Sequence, residues 1–119
     1  MITTTHQVGD VYFIEYAQDI RLSTVQDALG LVSACGELAI HRVLLHADHL
    51  DERFFDLKTG LAGEFLLKFS NYYLKVALEI PRERNYGERF AEFASETRHN
   101  REFRIFHTRD SAIEWLVME

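Results

Sequence analysis

A chain of 119 residues that is 47% hydrophobic and 13% aromatic can bury about two thirds of the surface its unfolded form exposes, enough for one domain over residues 1–119 without staples. Its net charge of −6 is spread over interspersed acids and bases with no basic run, which argues against nucleic acid or an anionic membrane as partner. The single cysteine, Cys35, excludes an internal disulfide and a multi-cysteine zinc site and suits the reducing cytoplasm, and no apolar run approaches the roughly 18 residues of a membrane span.

In chain order, Met1 to His6 is polar and lacks the charged and apolar regions of a signal peptide. Ile2 to Val8 and Val11 to Tyr16 are rich in β-branched and aromatic residues and flank Gly9-Asp10, which predicts a hairpin. Ser23 followed by Gln26 has the spacing of a capping box, and Val25, Ala28, Leu29, Val32 and Cys35 then keep helical period, with Gly36 as the expected stop. Val43-Leu44-Leu45 is a short continuous apolar run, the pattern of a strand covered on both faces in a partly parallel sheet. A second helix is expected within residues 54–72, with Leu57, Leu61, Phe65, Leu66 and Phe69 on its apolar side. Tyr73 to Ile80 reads as the next strand, closed by Pro81.

The last third repeats the alternation. Tyr86, Phe90, Phe93, Ala94 and Thr97 form one helical face and Glu88, Arg89, Glu92 and Glu96 the wet one. Phe103 to Phe106 is a short strand, and Ser111 with Glu114 spells a second capping box before Trp115 and Leu116. The order is therefore ββαβαβαβα, an α/β domain with a mixed, mostly parallel five-stranded sheet flanked by four helices.

The stretch FFDLKTGLAGEFLLKFSNY raises the functional question, because glycines weaken helices. Asp56 and Thr59 can accept hydrogen bonds from free amides at a helix start, and Gly60 and Gly63 remove side chains from that end. One reading lets the glycines seat the helix close to the sheet. The other has the helix N-terminus, with Glu64 in its first turn, present Thr59 to a partner, an anion or a modifying enzyme.

The run Phe55-Asp56-Leu57-Lys58-Thr59-Gly60-Leu61-Ala62-Gly63-Glu64, followed by Lys68-Phe69-Ser70-Asn71-Tyr72, resembles the signature of a small uncharacterised bacterial domain-of-unknown-function family. The resemblance continues through Tyr86-Gly87-Glu88-Arg89-Phe90 and Phe103-Arg104-Ile105-Phe106 to Ala112 and Trp115-Leu116, and it implies no activity. A more distant likeness is to STAS domains, the anti-sigma-factor antagonist fold, which has this element order. In that fold the second helix opens with an acidic residue, hydroxyl residues and a Gly-Leu pair, and a hydroxyl can accept a phosphoryl group. Asp56, Thr59, Gly60 and Leu61 are similar, with Leu57 and Lys58 making the spacing one residue longer.

Two further patterns compete. His46-Ala47-Asp48-His49-Leu50-Asp51-Glu52 follows a predicted strand, and His46, Asp48 and His49 are residue types that ligate divalent metals. The run is similar to the histidine-rich motif of metallo-β-lactamase-type hydrolases, with Leu44 in place of the first histidine. The aromatics Phe54, Phe55, Phe65, Phe69, Tyr72 and Tyr73 crowd the second helix, so exposed rings would make an interaction surface and enclosed ones could line an apolar small-molecule pocket. Cys35 falls on an apolar helical face, and there is no G-x-S-x-G elbow, P-loop or G-x-G-x-x-G. The sequence thus predicts a non-catalytic regulatory or protein-interaction module in the cytoplasm, without cofactor, meeting a protein partner or a second copy of itself through Asp56, Thr59, Gly60, Gly63 and Glu64. Its alternatives are a small-molecule-binding domain with an apolar pocket and a metal-dependent hydrolase using His46–Glu52.

Overall fold

A sheet whose strands alternate with helices must bury apolar side chains on both faces, and the two strands at its centre do so. The computed structural model describes residues 3–17 and 21–118; the expected strand start at Ile2 lies outside them. Strands β1 (Thr3–Val8) and β2 (Val11–Tyr16) form the hairpin, turning at Gly9 with φ 60°. Then follow α1 (Val25–Leu38), β3 (Arg42–His46), α2 (Leu61–Asn71), β4 (Lys75–Glu79), α3 (Glu88–Glu96), β5 (Phe103–Phe106) and α4 (Arg109–Leu116). The sheet order is β1-β2-β3-β4-β5, with β1 antiparallel to β2 and every other pairing parallel. The predicted α/β architecture is therefore the one observed.

Strand periodicity divides the core in two. Ile14, Val43, Leu45, Val76, Leu78 and Phe103 point to one face, where they meet Ala28, Leu31 and Cys35 of α1, Phe65 and Phe69 of α2 and Phe90 of α3. Phe13, Leu44 and Ala77 point to the other, where the one helix they meet is α4, through Ala112, Trp115 and Leu116. One eight-residue helix cannot cover a whole sheet face, so the strand ends on that side are left to polar side chains.

Several element ends differ from the sequence reading. The box that opens α1 is Thr24 with Asp27, one residue later than expected, and Ser23 instead donates its backbone N–H to Asp27 Oδ2. Thr108, not Ser111, caps α4, accepting from the Ser111 amide at 3.1 Å. Helix α1 runs past Gly36 to its C-cap at Ala39, and α2 ends at Asn71, so the expected strand start at Tyr73 is instead a turn ahead of β4. Both stops share one hydrogen-bond pattern, Ile40 N–H to Cys35 O with Ala39 N–H to Gly36 O, and Leu74 N–H to Phe69 O with Tyr73 N–H to Ser70 O. Ala39 (φ 56°) and Tyr73 (φ 59°) adopt the left-handed conformation this closure needs, where glycine is the usual residue. That conformation costs about 1–2 kcal/mol, whereas fully burying a leucine such as Leu74 returns about 1.5–3 kcal/mol. Burial therefore decides where α2 ends.

Candidate functional site

The segment before α2 is an elbow built of two 3-10 turns, Glu52–Phe54 and Leu57–Thr59. Asp51 caps the first through the Arg53 amide and Asp56 caps the second through the Lys58 amide. Thr59 locks them together. Its hydroxyl lies 2.6 Å from Arg53 O and 2.8 Å from Asp56 O, to which it donates, and it accepts from the Leu61 amide at 3.3 Å. Gly60, at φ 78°, then reverses the chain into α2, a conformation that favours glycine. The sequence reading placed Asp56 and Thr59 at the start of the helix itself; the structure makes them the fasteners of the turn before it.

The glycines do not mark a close approach. A Cβ built at Gly60 or Gly63 meets nothing within 4 Å, so neither seats α2 against the sheet. Gly63 and Glu64 are exposed on the first turn of α2, where the Glu64 carboxylate complements the helix dipole. Gly63 lines a shallow groove with Leu67, Asn100 and Phe103, away from Asp56. Of the five expected site residues, Asp56 and Gly63 thus fall on two different surfaces.

Asp56 belongs to the more informative one. A cleft of about 560 Å³ runs between the elbow and the start of α3, lined on one side by Glu52, Phe55, Asp56 and Lys58 and on the other by Tyr86 and Arg89. Its floor is a stack. The Phe55 and Tyr86 rings lie 3.9 Å apart at 7°, and Phe90 meets both edge-on at 5.3 and 5.6 Å. Glu52, Asp56, Lys58, Glu88 and Arg89 stand exposed around this floor with both signs of charge. The two signature runs, 55–64 and 86–90, therefore meet in space although some twenty residues of chain separate them. The aromatic indicators divide: Phe54, Phe65 and Phe69 are core, while Tyr72 and Tyr73 are 49% and 84% exposed.

The histidine-rich loop does not converge. His46 ends β3 on the α4 face, with Nδ1 at 2.9 Å from Glu79 Oε1 and Nε2 at 2.5 Å from Glu15 Oε2. Both ring nitrogens thus face carboxylate oxygens, and neither turns a lone pair outward to a metal while the glutamates stand there. Asp48 pairs with Arg84, which holds its carboxyl below the ordinary range. His49 lies across from His46, with ring centroids 5.7 Å apart, and packs edge-on against Tyr16. Among the described residues no group of three or more His, Cys, Asp or Glu side chains is arranged to hold a metal ion.

Glu15 and Glu79 escaped sequence analysis, and with them the strand-end cluster on the α4 face. Glu15 takes Arg109 Nη2 at 2.7 Å, Arg109 Nε at 3.1 Å and His6 Nε2 at 2.9 Å in addition to His46. The Arg109 hydrogen bond, which outweighs burial and is seconded by His46, holds its carboxyl down at about 2. A signal was available in the sequence. Arg42-Val-Leu-Leu-His46 and Lys75-Val-Ala-Leu-Glu79 are apolar triplets with polar ends, and a parallel in-register pair must bring Arg42 beside Lys75 and His46 beside Glu79. Cys35, fully buried, has its thiol pushed up to about 11 by desolvation and is no nucleophile.

The chain belongs to the family described as Domain of unknown function (DUF4180), which matches residues 8–116. No curated protein and no solved structure matches it. Among the described residues no helix is long and apolar enough to cross a membrane.

Proposed function

We propose that this member of the family is a non-catalytic protein-interaction module of regulatory type, working in the cytoplasm, whose recognition surface is the cleft between the elbow at 52–60 and the start of α3. The observation that carries the reading is the Phe55–Tyr86 stack, which joins the two signature runs under one open cleft with a rim of mixed charge. An aromatic floor with a charged rim is the anatomy of a protein contact, where rings anchor and charges set register. A volume of about 560 Å³ would also admit a small molecule. The exposed, two-signed rim favours a protein partner, because five charged side chains around a modest apolar floor leave little surface to bury a compact apolar ligand.

Side chains suited to catalysis are engaged elsewhere: His46 stands between two glutamates and Cys35 lies in the core. The element order is the one on which the STAS likeness rests, and a regulatory contact at the entry to α2 is the use that likeness implies. Thr59 as a phosphoacceptor would first have to surrender its hydrogen bonds to Arg53 O and Asp56 O, so a phosphoryl group there would open the elbow rather than decorate it.

Site-specific photo-crosslinkers placed at Lys58 and Arg89, with Glu114 on α4 as control, test the surface in the host cell. One discrete protein adduct, heterologous or with a second copy, is expected from both cleft positions and not from the control. Equal labelling at Glu114, or none at Lys58 and Arg89, would sink the proposal.

A further inference from the structure

The α4 face carries a second cluster, at the opposite ends of the same strands. Arg42 begins β3, Lys75 begins β4, and Arg104 lies in β5; with Arg101, Trp115 and Met118 they line a pocket of about 530 Å³. All four ionisable residues of this lining are cations. None of the ion pairs among the described residues involves any of them. Desolvation, then the charges of Arg42 and Arg104, push the Lys75 ammonium below its ordinary range.

Part of this charge has a structural use. Arg42 Nη1 donates to Leu116 O at 2.7 Å and Met118 O at 2.8 Å, and Lys75 Nζ donates to Trp115 O at 2.8 Å and Met118 O at 2.7 Å, which closes the carbonyl end of α4. Lys75 Nζ also lies 4.5 Å and the Arg104 guanidinium 5.2 Å from the centroid of the Trp115 ring. A helix C-terminus offers only about half an elementary negative charge. Arg42 and Lys75 alone exceed that several times over, and Arg104, whose Nε donates to Asn100 O, adds a third charge that the helix end does not answer. A chain of net charge −6 has acids to spare, yet no described carboxylate lines this pocket.

We propose that this pocket binds a small phosphorylated molecule by its phosphoryl group, held by Arg42, Lys75, Arg101 and Arg104. A phosphoryl dianion answers several clustered cations better than a single carboxylate does, and its oxygens suit guanidinium forks. The pocket volume lies in the range of small-molecule sites. Trp115, the only tryptophan of the chain, forms one wall and reports occupancy directly.

Inorganic pyrophosphate is the probe, titrated against the full chain at ionic strength held constant with sodium chloride. A saturable change in Trp115 fluorescence and a raised thermal midpoint are expected. Arg104→Gln should weaken the response about tenfold and the exposed Arg101→Gln about threefold, while the exposed Arg82→Gln, outside both clefts, leaves it unchanged. Circular dichroism of each variant checks folding, and Arg101→Gln, which removes no intramolecular hydrogen bond named above, keeps the test valid if Arg104→Gln unfolds. No saturable response up to millimolar pyrophosphate, or equal affinity in the wild type and both arginine variants, would overturn the site. Binding to anionic lipid vesicles without any response to pyrophosphate would also overturn it, in favour of a membrane surface.

Discussion

The two ends of the α4 face make opposite uses of charge. At the carboxyl ends of the strands Glu15 and Glu79 are answered by His46, His6 and Arg109, each acid within hydrogen-bond reach of a basic side chain. At the amino ends Arg42, Lys75 and Arg104 line one pocket, the last two over the Trp115 ring, with no carboxylate among the lining residues. Helix α4 spans both, its positive end towards the glutamates and its carbonyl end towards the cations. A balanced cluster stabilises the fold it is in, whereas an unbalanced one costs stability until something outside the chain balances it. Opposite ends of the same strands thus hold a structural tie and a proposed site.

The contrast is broken most directly by Glu15→Ala. The substitution leaves Arg109, His46 and His6 around an empty position and is expected to cost about 2–4 kcal/mol in urea denaturation; a loss under about 0.5 kcal/mol would show that the cluster is not a tie. The pH dependence follows from the same group. The folded carboxyl at about 2 lies below its ordinary 4.5, so its stabilisation is complete above about 4.5 and is lost as the pH falls through about 2. Allowing for its partial exposure, the loss should amount to about 2–3 kcal/mol, and Glu15→Gln should remove that part of the acid limb. His46→Ala leaves Glu15 and Glu79 without the ring between them, and a cost of about 1–2 kcal/mol at neutral pH is expected by the same measurement.

Smaller effects sharpen the picture. Gly63→Ala touches neither end and has open space for its methyl group, so it should stabilise by about 0.5–1 kcal/mol from helix propensity alone, equally at low and high salt. A destabilisation would mean that Gly63 is packed after all. Arg101→Gln at the unbalanced end should raise the thermal midpoint by about 1–2 °C in low salt, an effect that fades as salt screens the remaining cations. Its sign is the point: removing a charge should harm one end of the face and help the other. A lowered midpoint would mean that the Arg101 charge is balanced within the chain.

Much of the fold was legible because burial on both faces writes itself as apolar runs. Val43-Leu44-Leu45 was read as a doubly covered strand and all three side chains are buried. Phe90 and Thr97 of the expected α3 face are buried too, and Glu88, Arg89, Glu92 and Glu96 are exposed. Caps were less legible. Ser23 and Thr24 are neighbours with equivalent chemistry, and the backbone of the preceding loop chooses between them. Ser111 likewise lost the cap to Thr108 because α4 begins a turn earlier than its apolar residues suggest.

The site residues divide in the same way. Asp56 was singled out by the sequence, and Lys58, Tyr86 and Arg89 lie in the runs that carry a resemblance, but nothing local tells that the Phe55 and Tyr86 rings stack. By itself the sequence determined the α/β alternation and the parallel core strands, because these follow from periodicity and composition within short windows, while the two signature runs were legible as a resemblance. Only the tertiary structure decided where α2 ends, which carboxylates meet His46, and that four cations gather beside Trp115. Those depend on strand register and on which face one short helix covers, quantities set by contacts between residues far apart in the chain.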